Sequence, residues 1–380
     1  MNGILNKLKM KKDHKIKIKT RLNKYLLNYF GEENYDNLRF GEYLFKGENN
    51  QISIFLIFYN KFLNFFGLYN KNQKKIYNNK VEEIFTNYNL NFLDSINEID
   101  LNLAYDLICY RLMGFRHVKL RTNTMYYWYT INKINSIENQ NKFIKINFEH
   151  FKRVNYYDLN PFGKDVKLYF NKVGIAVDFL LEQYRYNIKP IDIKVNQGDV
   201  VFDLGACWGD TALYFSDLAG LNGKVYSFEF IPSNIQLFNT NMDLNPRLSP
   251  NIELVSHPVH DTSGVNMFYK DNGPGSFVSF NEIENYDGII KTISLDDFVS
   301  HKGIEKVDFI KMDIEGAEQA ALKGALNTIK RFKPKLAVAI YHSDDDFYQI
   351  PQLLTDLGYR IFINHYTIHQ EETICFAIPI

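Results

Sequence analysis

The stretch VFDLGACWGDT, residues 201–211, sets Asp203, Gly205 and Gly209 between an apolar run and a helix-forming one. A carboxylate and a glycine turn at the end of a buried strand point to a bound ligand, and three ligand classes use such turns. A phosphate loop requires a lysine after its last glycine; Asp210 stands there instead. A dinucleotide turn requires glycines where this chain has Cys207 and Asp210, and Asp210 would repel a pyrophosphate. What remains, acid-x-Gly-x-x-x-Gly, is the pattern used for the sulfonium nucleoside S-adenosylmethionine. Its ammonium is attracted by a strand-end carboxylate such as Asp203, directly or through water. Its carboxylate suits the amides of a helix entrance, with Ala206, Gly209 and Thr211 in place there. Gly205 permits a tight turn that keeps a side chain out of the ligand's path.

A ribose offers two vicinal hydroxyls, and an acid at the end of the following strand can accept both hydrogen bonds. Glu229, in KVYSFEF, stands 20 residues beyond Gly209. Adenine is expected past the third strand, near His260 or Asp261 in VSHPVHD. Tyr184, in LLEQYRYN, is placed to close over the cofactor, with a packing role as the alternative.

These residues need a frame of strands and helices. Apolar strands are expected at 199–204, 224–228, 252–255, 307–312, 336–341, 359–364 and 373–378, with helices at 208–219, 232–244, 316–331 and 347–357. Alternation of this kind gives an α/β fold, a doubly wound, Rossmann-like sheet of seven mostly parallel strands. Ligands then sit beyond the strands' carboxyl ends, where each residue named above falls. Upstream, helical spacing at 81–88 and 101–112 and a scarcity of glycine predict a mainly helical extension. The chain is therefore divided into an accessory region, 1–165, the expected source of acceptor specificity, and a cofactor-binding domain, 166–380. Aromatic residues 125–129 (MYYWY) are expected in a core.

The stretches VFDLGACWGDTALYF, KVYSFEFIPSN, KTISLDDF, DFIKMDIEGAEQAALKGA and KPKLAVAIYH resemble the FkbM-type S-adenosylmethionine-dependent methyltransferases. The most specific is Lys-x-Asp-x-Glu-Gly-x-Glu from Lys311 to Glu318. The resemblance implies methyl transfer to oxygen, commonly a hydroxyl of a sugar, and covers roughly residues 175–380. Where much of that family reads Gly-Ala-Asn, this chain has Cys207, which loses one side-chain hydrogen bond. Methyl transfer is an in-line displacement, and an alcohol attacks well only as its proton is drawn away. Asp313 is expected as general base or acceptor-orienting carboxylate, with Glu315 fixing geometry and Lys311 keeping Asp313 ionised. A helix cap is the alternative role for the two acids. His342 is the alternative base. Asp344, Asp345 and Asp346 are expected to cap a helix. With Asp313 they also admit a divalent cation such as magnesium, which is not claimed. In the long insert before the fourth strand, Ser276 is placed to face the acceptor and Asp296 to pin the loop.

Lys plus Arg and Asp plus Glu number 44 each, so no overall basic field recruits nucleic acid. Three scattered cysteines suggest a reducing compartment and no structural zinc. The longest apolar run, residues 52–59, is too short to span a bilayer, so a cytoplasmic location is expected. Nine Lys or Arg in the first 24 residues suggest a solvated, frayed terminus, with weak contact to an anionic membrane as the alternative. The leading expectation is an O-methyltransferase acting on a saccharide or saccharide-bearing intermediate. The rivals are an N-methyltransferase and a non-catalytic S-adenosylmethionine-binding protein; the broken glycine pattern disfavours a nicotinamide-dependent oxidoreductase.

Overall fold

A computed structural model describes residues 2–28, 68–115, 117–146, 148, 152–368 and 371–380. The apolar run at 52–59 lies outside the described residues. Strands β1 (Glu138–Lys145), β2 (Arg153–Asp158) and β3 (Lys167–Phe170) make a small antiparallel sheet, and β4 (Tyr186–Ile188) and β5 (Ile191–Ile193) a hairpin. The central sheet contains β6 (Val200–Leu204), β7 (Lys224–Phe228), β8 (Ile252–Val255), β12 (Phe309–Met312), β13 (Lys335–Ala339), β14 (Tyr359–His365) and β15 (Thr373–Pro379). Its order is β14-β15-β13-β12-β6-β7-β8, and β15 runs antiparallel to both its neighbours. From β6 the order runs outward to β7 and β8 on one side and to β12 and β13 on the other. The switch point between β6 and β12 is where a doubly wound sheet opens a crevice. The seven strands fall at the expected places, with ends shifted by one or two residues.

Strand alternation builds two cores. Phe202, Leu204, Ile310 and Met312 face one side and Val201, Phe309 and Ala337 the other. On the second side pack the helix Asp210–Ala219 and the segment Ile175–Leu180. On the first side, Ile18 and Leu22 of the helix Asn2–Tyr25 join Val81, Phe85 and Leu107 in the same cluster as the sheet. The basic terminus is thus a packed helix rather than a frayed arm: Lys15 and Lys19 pair with Glu82, and Arg21 pairs with Asp106. Residue 165 falls between β2 and β3 of one small sheet, and the amino-terminal helices share a core with the larger one.

Three expectations are corrected. The aromatic run at 125–129 lies on the helix Met125–Lys133, whose periodicity turns Tyr127 inward but leaves Met125 90%, Tyr126 66% and Tyr129 64% exposed. The helix expected at 316–331 is two helices, Glu318–Lys323 and Leu326–Phe332. Asp296 separates them: its amide donates to the Gly324 carbonyl, and its carboxylate accepts from the amides of Asn327 and Thr328. Asp296 therefore does not pin the insert's loop: it lies in the first turn of the helix Leu295–Lys302 and holds the junction of the two later helices. The long insert between β8 and β12 folds into a further antiparallel sheet of β9 (Asn266–Lys270), β10 (Phe277–Ser279) and β11 (Gly288–Lys291). Among the described residues no helix is long and apolar enough to cross a membrane.

Candidate active site

The turn after β6 is made by three left-handed backbone positions in five residues, Gly205 (φ 82°), Cys207 (φ 43°) and Gly209 (φ 85°). Asn is at ease in that region; Cys207 holds it at more cost. A Cβ on Gly205 would lie 1.9 Å from the Asp313 carbonyl oxygen. Glycine is required there mainly because the ends of β6 and β12 touch, more than to clear a ligand's path. On Gly209 a Cβ would meet Met242 and Phe238. The amides of Gly205 and Ala206 both donate to the Phe228 carbonyl at 3.0 Å, tying the turn to β7.

Above this turn lies a cavity of about 310 Å³, lined in part by Asp178, Tyr184, Asp210, Glu229, Lys311 and Asp313. Glu229 in its lining is 7% exposed and accepts from the amides of Phe230 (2.7 Å) and Ile231 (2.8 Å) and from Asn234 Nδ2 (3.2 Å). Burial pushes its carboxyl up to about 7 against those donors.

Asp203 is elsewhere. It is fully buried and absent from the lining. Its carboxylate accepts from Thr211 Oγ1 (2.9 and 3.0 Å) and Ser227 Oγ (3.4 Å) and lies 3.3 Å from Lys311 Nζ. Register causes this, because Lys311 and Asp203 are partners on adjacent parallel strands. Lys311 also donates to the carbonyls of Leu204 (3.0 Å) and Gly205 (2.6 Å). Burial alone would lower its pKa, but Asp203, Asp313 and Asp210 together hold it above the usual value. Lys311 is thus a clamp on the turn, and direct attraction of a ligand by Asp203 is corrected to support of that turn.

Asp313 leaves β12 into the cavity wall. It accepts from Tyr184 Oη (2.6 Å), and Tyr341 Oη lies 3.0 and 3.2 Å from its two oxygens. His342 Nε2 is 3.3 Å from Asp313 Oδ1, and its Nδ1 is 2.8 Å from Glu318 Oε1. Neither contact has hydrogen-bond angles, so both are ionic. Burial pulls the imidazole down, but the two carboxylates outweigh it and push its pKa up to about 11. Burial likewise opposes ionisation of Asp313, yet His342, Lys311 and Tyr184 hold it well below the usual carboxylate range. An imidazolium held between two carboxylates has no lone pair free to take a proton, which counts against His342 as the alternative base.

The ligand atoms of Asp313, Glu318 and His342 lie within 4.8 Å of one another, a spacing that suits one cation. With His342 protonated, the imidazolium supplies that positive charge itself. Asp344, Asp345 and Asp346 do not converge on Asp313: they meet Arg111, Tyr88 and Ser343 respectively. The charge on His342 makes a stability prediction. Its unfolded pKa is 6.5 and its folded pKa about 11. Its stabilisation is thus complete below pH 6.5 and is lost as pH rises toward 11. Denaturant melts across that window should show wild type declining more steeply than His342→Gln. Parallel declines would remove the imidazolium.

Glu315 stands at a left-handed position (φ 56°), with its side chain 67% exposed and 3.7 Å from His342 Nε2. Tyr184 is a buried wall residue bonded to Asp313, so it does not close over the cavity as a lid. His260 and Asp261 pair with each other at 2.8 Å outside the lining, which takes His257, Pro258 and Val259 instead. Ser276 lines the cavity, though its hydroxyl donates to the Gly273 carbonyl at 2.6 Å. Sequence reasoning missed Asp178, Glu318, Tyr341 and Glu372. Glu318 was within reach as the last acid of Lys-x-Asp-x-Glu-Gly-x-Glu, where it accepts the amides of Ile314 (2.8 Å) and Gly316 (3.0 Å).

Residues 192–361 match the model of the methyltransferase FkbM domain. The 2-O-methyltransferase NoeI of Sinorhizobium fredii is 25% identical over 167 residues, 40% of this chain and 65% of that protein. The match therefore spans just under two thirds of that relative. Similar solved structures include a methyltransferase FkbM from Methylobacillus flagellatus, at 16% identity and TM-score 0.46, covering 78% of this chain and 60% of that one. Aeropyrum pernix fibrillarin with bound S-adenosyl-L-methionine gives 17% identity and TM-score 0.35, covering 62% of this chain and 98% of that one.

Proposed function

We propose that this chain, which carries an FkbM-type methyltransferase domain over residues 192–361, transfers a methyl group from S-adenosylmethionine to a hydroxyl oxygen of a saccharide or saccharide-bearing acceptor. The observation that carries the reading is Asp313, an ionised carboxylate fixed by Tyr184, Tyr341 and His342 in a cavity that Glu229 also lines.

The cavity's residues fit the cofactor. Glu229 suits the ribose diol, and Asp210 Oδ1 is buried without a hydrogen-bond partner. When bound, S-adenosylmethionine supplies an electrophilic methyl group. The chain's own work is positioning. Asp313 accepts the hydrogen bond of an acceptor hydroxyl and turns its oxygen lone pair toward the methyl donor's place. A carboxylate held so far below its usual range is a weak proton acceptor, which favours orientation over proton abstraction. Transfer to oxygen is supported by the naming of NoeI as a 2-O-methyltransferase.

Calorimetry should give saturable binding of S-adenosylmethionine and none of NAD. Incubation with a panel of saccharides should release S-adenosylhomocysteine stoichiometrically with a methylated sugar. A chain that binds NAD and not S-adenosylmethionine does not have this function. One that methylates only amines has another acceptor class.

A further inference from the structure

Two acids in the cavity wall have no assignment from the fold's own hydrogen bonds. Asp210 opens the helix Asp210–Ala219, is 6% exposed, and its Oδ1 has no partner. Asp178 is 7% exposed and sits in the π-helical segment Ile175–Leu180, a wide turn of a kind that recurs at functional sites. Both line the cavity, and each lies near enough to the other to affect its ionisation. Burial raises both, Asp210 to about 7.

The other charged groups that face them are Lys311, Asp203 and Glu372. Lys311 is committed to Asp203 and to the carbonyls of Leu204 and Gly205. Glu372 accepts from Gln183. The wall therefore keeps a pair of carboxyls whose charge nothing in their own surroundings fully answers. Buried carboxylates without a counter-charge are costly, so the site suits a small cationic group carried by a ligand.

We infer that Asp178 and Asp210 together receive the ammonium of the methionine end of S-adenosylmethionine, in place of the enclosed Asp203. The inference rests on the cofactor reading above. An ammonium has three N–H donors, enough to bond both carboxylates at once. It binds best to the deprotonated pair, so a proton held by either carboxyl is released to solvent. Below about pH 7, the level to which Asp210 is raised, binding is accompanied by proton release, and affinity climbs as pH rises to that point.

The test is calorimetry on the full chain with two probes. S-adenosylhomocysteine carries the amino-acid end; 5′-methylthioadenosine has the same nucleoside and a sulfur but no ammonium. Asp210→Asn and Asp178→Asn, each of near-identical shape, should weaken S-adenosylhomocysteine about thirtyfold or more and leave methylthioadenosine unchanged. In wild type just below pH 7, the homocysteine probe's binding heat should differ between phosphate and Tris, and the other probe's should not. Unchanged affinity for S-adenosylhomocysteine in both variants overturns the assignment. So does equal loss of both probes in both variants, the mark of a structural role. If wild type binds neither probe, the cofactor reading fails with it.

Discussion

Asp313→Asn is expected to lower kcat by about a hundred- to ten-thousandfold while the affinity for S-adenosylhomocysteine stays near wild type. The substitution keeps the shape and the hydrogen bonds available from Tyr184 and Tyr341, but removes the negative charge that balances His342. An amide can present its NH₂ to the acceptor where the carboxylate offered a lone pair, so the hydroxyl is turned the wrong way. The ribose and methionine ends are held by other residues, which is why the loss should fall on kcat. Single-turnover rates separate chemistry from binding. A variant with wild-type kcat, or one whose whole deficit lies in cofactor affinity, contradicts the placement of Asp313 beside the acceptor. Tyr184→Phe is a graded control: it removes one donor from Asp313 but not the charge.

Lys311→Met carries the second large expectation, and it concerns stability. Lys311 is 1% exposed and is the cation 3.3 Å from the fully buried Asp203. Removing one partner of a buried pair leaves the other charge uncompensated, at a cost of about 3–5 kcal/mol. Methionine also cannot donate to the carbonyls of Leu204 and Gly205, so the turn beneath the cavity loosens as well. Urea melts should show the loss directly. The double variant Asp203→Asn, Lys311→Met should recover part of it, because the stranded carboxylate is gone. Additive losses in that cycle would mean that the two side chains do not act as a pair. Lysine's place in the reaction is thus indirect: it holds the β6 turn and adds positive potential near Asp313.

Much of the fold could be read from the chain because the rules that set it are local. Apolar runs of strand length, a glycine turn after β6 and Pro232 at the start of the helix Pro232–Asp243 fix elements within a few residues of themselves. They also place Asp203, Glu229 and Asp313 at the carboxyl ends of their strands, since strand order follows from strand–helix alternation. Where the chain reverses between strands is likewise a short-range steric matter. The sequence by itself therefore determined a doubly wound sheet and the rim on which its chemistry stands.

What each acid does there was decided by contacts between distant segments. Asp203 became enclosed because β6 and β12 pair in a register that sets Lys311 beside it, across 108 positions of chain. His342 reads as a base when seen alone, and only its position between Asp313 and Glu318 makes it a cation. Asp178 comes to Asp210 by way of a π-helical turn that no residue pattern announces. The amino-terminal helix looks like a charged tail until Ile18 and Leu22 meet the sheet's core and Glu82 answers its lysines. A buried group's charge is set by the sum of its neighbours and its loss of water, and both are properties of the packed chain.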